Sequence, residues 1–333
     1  MAFKSCVLLR QNAGFMSLVQ NGEAMSQTLA FVFPGQGSQQ LGMLSELAAA
    51  HPVIQQTFAE ASEALGFDLW KMTQDGPEEA LNSTENTQPA LLTAGVALWR
   101  LWLEQGGTQP AVMAGHSLGE YTALVCAGAL SLADGVRLVK LRGEYMQQAV
   151  PAGTGAMAAI LGLGDDAIAE ACATAAQGGV VSPVNYNCPG QVVIAGEKEA
   201  VERGIEACKA AGAKRAIPLP VSVPSHCALM QPAAEQLAQA LSAIDLRQPS
   251  IPVVQNVAAE VPQDVETLQK NLVAQLYSPV LWTASVQAMV AEGVDTLIEC
   301  GPGKVLTGLN KKIDRALIGV SISDPAGLEK ALG

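Results

Sequence analysis

Residues Ala111 to Leu124 read AVMAGHSLGEYTAL, and this stretch decides the fold. AVMAG is a short apolar run ending at a glycine, the pattern of a strand buried on both faces. After the turn at His116 and Ser117, the run LGEYTALVCAGAL reads as a helix. A strand, a turn and a helix in that order predict an α/β core around a mostly parallel sheet. The pattern also opens at Thr28, where TLAFVF runs into the glycine turn PGQGSQ. Apolar residues at three and four spacing predict helices over 51–65 and 89–103. Further on, the sequence predicts a helix around Pro232 to Ala243, the strand IPVVQNV, the helix SPVLWTASVQAMVAEG, and the strand TLIEC before GPGKVLTGLNKKI.

Between Gly155 and Pro220 the order changes to β-α-β-β-α-β. AMAAILGL is followed by the helix DDAIAEACATAA, the strands VVSPVNYN and QVVIAG, the helix KEAVERGIEACKAAG and the strand AKRAIPLPV. That is the ferredoxin-like split βαβ arrangement. The expected organisation is a core of residues 26–154 and 221–333 with an inserted small domain at 155–220. Residues 1–25 are set aside as a leader, read as an expression leader ahead of a start at Met25 in preference to an organelle presequence.

A length of 333 residues fits about two structural units. With 49% hydrophobic and 15% charged residues, the composition is that of a globular chain. Lys plus Arg number 19 against 31 Asp plus Glu, and the net charge of -12 opposes nucleic acid or anionic membrane as a partner. A local basic patch for one small acidic partner stays open. No apolar run approaches the roughly 18 residues of a membrane span. Seven scattered cysteines, without a CxxC pair or a cluster with histidine, read as reduced thiols of a cytoplasmic protein and offer no metal site.

Gly115-His116-Ser117-Leu118-Gly119 is G-x-S-x-G between a predicted strand and helix, the setting of a nucleophile elbow. The competing reading is a glycine turn whose serine merely caps the helix. A serine nucleophile needs a base. The three histidines are His51, His116 and His226. His116 adjoins Ser117 and points elsewhere, His51 opens a helix, and His226 remains, in VPSHCALM. No third, acidic partner can be picked out. Acids between Ser117 and His226 read as polar-face residues, such as Glu170, Glu199, Glu202 and Glu206, or as caps, such as Asp134. A backbone carbonyl could orient the imidazole instead. On the helix predicted from Ser131 to Val150, the three and four neighbours of Arg142 are Leu138, Val139, Tyr145 and Met146, so its guanidinium faces inward. A buried cation needs an anion, supplied either by a structural salt bridge or by a substrate carboxylate. Gly35-Gln36-Gly37 and Gly301-Pro302-Gly303-Lys304 lack the endings of nucleotide loops and read as tight turns. An N–H near Gln36 is a candidate oxyanion donor.

These residues resemble the malonyl-CoA:acyl carrier protein transacylases of bacterial type II fatty acid synthesis. The likeness rests on FVFPGQGSQ (31–39), NTQPA (86–90), GHSLGEYTAL (115–124), NCPGQVVIAG (187–196), VPSHCALM (223–230), QLYSPVLW (275–282) and GPGKVL (301–306). It implies a hydrolase-like α/β core with a ferredoxin-like insert, and malonyl transfer from malonyl-CoA to the carrier's phosphopantetheine thiol without a cofactor. It further implies Ser117 as nucleophile, His226 as base, Arg142 on the malonyl carboxylate, and the backbone N–H groups of Gln36 and Leu118 as oxyanion hole. The backbone carbonyl of Gln275 would orient His226.

The alternatives are a serine hydrolase or thioesterase, an inactive carrier-binding module, and a polyketide-type acyltransferase. Acyl carrier proteins are acidic, so docking on a chain of this charge needs a basic surface. Lys214-Arg215 and Lys311-Lys312 with Arg315 are the candidates. A monomer is expected.

Overall fold

The computed structural model describes residues 28–151, 153–221 and 223–333. The expected leader, with Cys6, lies outside them. The first half of the core comprises β1 (Leu29–Phe33), α1 (Ser45–Ala50), α2 (Pro52–Leu65), α3 (Leu69–Asp75), α4 (Glu78–Asn82), α5 (Thr84–Glu104), β2 (Val112–Gly115), α6 (Leu118–Cys126) and α7 (Leu132–Ala149). Then come β3 (Gly155–Leu161), α8 (Asp165–Ala176), β4 (Val181–Cys188), β5 (Gln191–Glu197), α9 (Lys198–Ala210) and β6 (Arg215–Pro218). The chain closes with α10 (Gln231–Ser242), β7 (Val253–Val254), α11 (Val265–Ala274), α12 (Trp282–Ala291), β8 (Thr296–Glu299), α13 (Val305–Ile313), β9 (Ile318–Ser321) and α14 (Pro325–Leu332).

The larger sheet is parallel throughout, in the order β7-β2-β1-β8-β9. Successive side chains of a strand point to opposite faces, and here both faces are covered. Phe31 and Phe33 pack into the large cluster formed with α2, α5, α7 and α10, while Ala30 and Val32 pack against Trp282, Val286, Leu306 and Leu309 of α12 and α13. This double burial is why TLAFVF and AVMAG read as continuous apolar runs.

The smaller sheet is antiparallel, in the order β4-β5-β3-β6, the ferredoxin-like arrangement expected from the element order. One face carries α8 and α9, and the other contributes Met157, Val184, Val193 and Ala195 to a cluster with Cys227. Backbone bonds Val280 N to Val184 O (2.8 Å) and Tyr186 N to Val280 O (3.0 Å) join β4 to the segment before α12.

Several boundaries differ from those expected. α5 begins at Thr84, because Asn86, Thr87 and Gln88 look polar in sequence, yet Thr87 and Gln88 are buried and Thr87 Oγ1 bonds Leu81 O at 2.6 Å. α6 stops at Cys126, where Gly128 turns the chain with φ 75°. IPVVQNV supplies only a two-residue strand, since Gln255 and Asn256 leave the sheet to bind Glu120. The edge strand β9 and the helices α1, α3, α4, α11, α13 and α14 were not anticipated. Ser117 after β2, the Pro34–Gln36 turn after β1 and Asn256 after β7 gather at the carboxyl ends of the parallel strands, where open α/β sheets form their crevice.

Candidate active site

Ser117 joins β2 to α6 with φ 52° and ψ -107°, a conformation that costs a non-glycine residue on the order of 1–3 kcal/mol. The flanking glycines make the turn possible. A Cβ on Gly115 would lie 1.8 Å from Gly119 C, and one on Gly119 would lie 2.0 Å from Phe33 O. Asn256 clamps the turn from outside, its Oδ1 accepting from Ser117 N at 2.7 Å and its Nδ2 donating to Gly115 O at 2.6 Å.

His226 lies 3% exposed with φ 65°, and its Nε2 is 2.8 Å from Ser117 Oγ. Its Nδ1 is 2.6 Å from the backbone carbonyl of Gln275. A carbonyl only accepts, so Nδ1 carries the proton and Nε2 is free to take one from the serine. Burial first, and the Arg142 charge second, push the imidazole down to about 3, so it is neutral at pH 7. His116 is not placed for this work, because its Nε2 is 2.8 Å from Asn187 Oδ1 at the end of β4. His51 links α1 and α2.

Arg142 is 1% exposed. Ser131 caps α7, accepting from Asp134 N at 3.0 Å, as the spacing predicted. From that helix the guanidinium donates through Nη1 to Gln88 Oε1 (2.8 Å) and through Nη2 to Gln275 Oε1 (3.0 Å) and Ser117 Oγ (3.3 Å). Its Cζ sits 5.4 Å from the centre of the Tyr121 ring, and Nε has no partner. All of these oxygens are neutral, so among the described residues no structural salt bridge uses the cation.

The acids between Ser117 and His226 do not all lie on polar faces or at caps, as the sequence suggested. Glu120 is 1% exposed on α6 and accepts from Asn256 N (2.8 Å), Gln275 Nε2 (3.0 Å) and Gln255 Nε2 (3.1 Å). Burial pushes its carboxyl up to about 7, against those hydrogen bonds and the charge of Arg142.

A Cβ on Gly35 would lie 2.6 Å from His116 O, so the turn carrying Gln36 runs directly against the elbow. Leu118 opens α6, where the helix itself offers its N–H no partner. Lys214 and Arg215 are exposed, as are Lys311, Lys312 and Arg315. Lys312 Nζ reaches Gln191 Oε1 at 3.4 Å, and Leu161 pairs with Gln191 on one side and Arg215 on the other. The two basic runs therefore share one end of the small sheet. Among the described residues no group of three His, Cys, Asp or Glu could hold a metal, and no helix is long and apolar enough to cross a membrane.

Residues 30–317 match the acyl transferase domain family. The malonyl CoA-acyl carrier protein transacylase of Salmonella typhimurium is 63% identical over 303 residues, which cover 91% of this chain and 98% of that one. Its counterpart from Bacillus subtilis is 48% identical over 305 residues, 91% of this chain and 96% of that one. The crystal structure of an acyl carrier protein S-malonyltransferase from Vibrio cholerae superposes with a TM-score of 0.90 at 62% identity, covering 91% of this chain and 99% of that one. A malonyl-transacylase solved in complex with its type II PKS acyl-carrier protein does so with a TM-score of 0.90 at 60% identity, over 91% and 98% of the two chains. The chain belongs to the acyl transferase family, as one of its malonyl CoA-acyl carrier protein transacylases.

Proposed function

We propose that Ser117 carries the malonyl group from malonyl-CoA to the thiol of acyl carrier protein in a ping-pong reaction. Ser117 Oγ attacks the thioester carbonyl as its proton passes to His226 Nε2, and the Gln36 and Leu118 N–H groups hold the oxyanion. Collapse breaks the C–S bond, and the CoA sulfur leaves with the proton from His226. The carrier's phosphopantetheine thiol then attacks the malonyl ester, giving its proton to His226, which returns it to Ser117 Oγ. Malonyl-CoA is a substrate, and the scheme needs no cofactor.

The observation that carries this reading is Arg142, a buried cation bound only to neutral oxygens and within 3.3 Å of the serine. Its unpartnered Nε is a donor for the malonyl carboxylate. A general esterase or thioesterase has no use for that charge. The joint basic surface of Lys214, Arg215, Lys311 and Lys312 suits an acidic carrier. Intact-mass measurement after mixing the protein with malonyl-CoA tests the reading. One malonyl group should appear, map to Ser117 and be absent from Ser117→Ala; a label on any other residue refutes it.

A further inference from the structure

The transfer steps leave Glu120 without a task. Its carboxyl accepts from three donors, which favour the ionised form against burial, so above its titration near 7 the group is a carboxylate. Among the described residues no cation touches it. The buried positive charge connected to it is Arg142, and the connection runs through one amide. Gln275 Nε2 donates to Glu120 Oε2 at 3.0 Å, while Gln275 Oε1 accepts from Arg142 Nη2 at 3.0 Å. The amide is fixed in this sense, since Nε2 also donates to Ser117 O at 3.0 Å. Turning it over would set its N–H groups against the guanidinium.

Two opposite buried charges are thus held apart by a neutral spacer. Direct contact would attract more strongly. It would also place a resident carboxylate on the donors that an incoming carboxylate needs. At one amide's distance Glu120 offsets the charge of Arg142 without occupying its donors, and Nε stays unpartnered. Resting on the transfer reading above, we propose that Glu120 is the counter-charge of Arg142 and that the Gln275 side chain is a specificity-determining spacer, keeping the guanidinium open to the acyl carboxylate.

The test moves the charge. In the Glu120→Gln/Gln275→Glu double variant the net charge is unchanged and the carboxylate sits directly on Arg142; Gln275→Glu alone brings the same carboxyl to Arg142 but faces it with Glu120, so the two share a proton. Ser117 loading from malonyl-CoA and from acetyl-CoA is measured on the full chain at about pH 8, above the Glu120 titration. The malonyl-over-acetyl preference should fall by at least about a hundredfold, the scale of a competing buried ion pair. An unchanged preference overturns the proposal. If wild-type protein takes no malonyl at Ser117, it is the transfer reading that fails instead. Should the charge-moved variants not fold, a double-mutant cycle in melting temperature decides. Arg142→Met strands the Glu120 carboxylate, so adding Glu120→Gln should raise the melting temperature above that of Arg142→Met alone. Additive losses refute the pairing.

Discussion

Truncating Arg142 to alanine separates substrate recognition from the rest of the machinery. The guanidinium is 1% exposed, so a malonyl carboxylate drawn to the same place without it would be a buried, unpaired charge. Breaking a buried pair in this way costs roughly 3–5 kcal/mol. At about 1.4 kcal/mol per tenfold, malonyl loading should fall by between a hundredfold and a few thousandfold. Gln88 Oε1 and Gln275 Oε1 also lose their Arg142 donor, which lowers stability by about 1–3 kcal/mol for each acceptor left dry. A melting curve run in parallel reads that cost separately. Acetyl carries no carboxylate, and its loading should suffer far less. The assay is single-turnover acylation of Ser117 from each CoA thioester, followed by intact mass. Equal losses for malonyl and acetyl would show that Arg142 only supports the fold, and the specificity argument would be wrong.

Three other outcomes are expected. His226 is pushed from the usual 6.5 down to about 3, so the stability it contributes is complete above pH 6.5 and is lost as pH falls toward 3, about 5 kcal/mol in all. Urea unfolding of His226→Gln should lack that acid loss, and parallel curves for the two proteins would contradict it. Gly119→Ala sets a Cβ 2.0 Å from Phe33 O, a backbone clash that should abolish Ser117 acylation, whereas Gly164→Ala, with nothing within 4 Å, should acylate normally. Reversing Lys214, Arg215, Lys311 and Lys312 to Glu should raise the KM for carrier protein and blunt its salt dependence, with less effect on loading from malonyl-CoA; an unchanged carrier saturation curve would dismiss this surface.

Ser117, His226 and Arg142 were legible because each stands on a local signal. These are a pentapeptide between a strand and a helix, elimination among three histidines, and a cation whose helical neighbours are apolar. Glu120 lies inside the first of these signals without standing out there, because an acid in the first turn of a helix reads as a favourable dipole partner. The argument that found Arg142 also applies here, since residues three and four further on are Ala123 and Leu124, both apolar. The partners of Glu120 were beyond reach, with Gln255 lying 135 positions away and Gln275 155. Asn256 was hidden differently: it ends an apolar run whose strand is only two residues long, and its value comes from reaching Gly115 and Ser117. That the two basic runs share one end of the small sheet was equally invisible, because strand pairing through Leu161 joins segments that are far apart in sequence.

The same geometry ties recognition to chemistry. Arg142 Nη2 and His226 Nε2 both reach Ser117 Oγ, at 3.3 and 2.8 Å. The guanidinium is one of the causes that hold the imidazole below its usual value, second to burial. On the transfer reading, a malonyl carboxylate arriving at Arg142 offsets that charge, and the depression of His226 weakens just as the serine proton must move. On that reading the substrate's own anion would raise the basicity of the residue that activates the nucleophile. An acetyl group in the same position would lack that effect and meet a weaker base. On that reading part of the energy of carboxylate recognition would be realised in the acylation step as well as in binding, which is where an interaction must act to raise the rate of transfer.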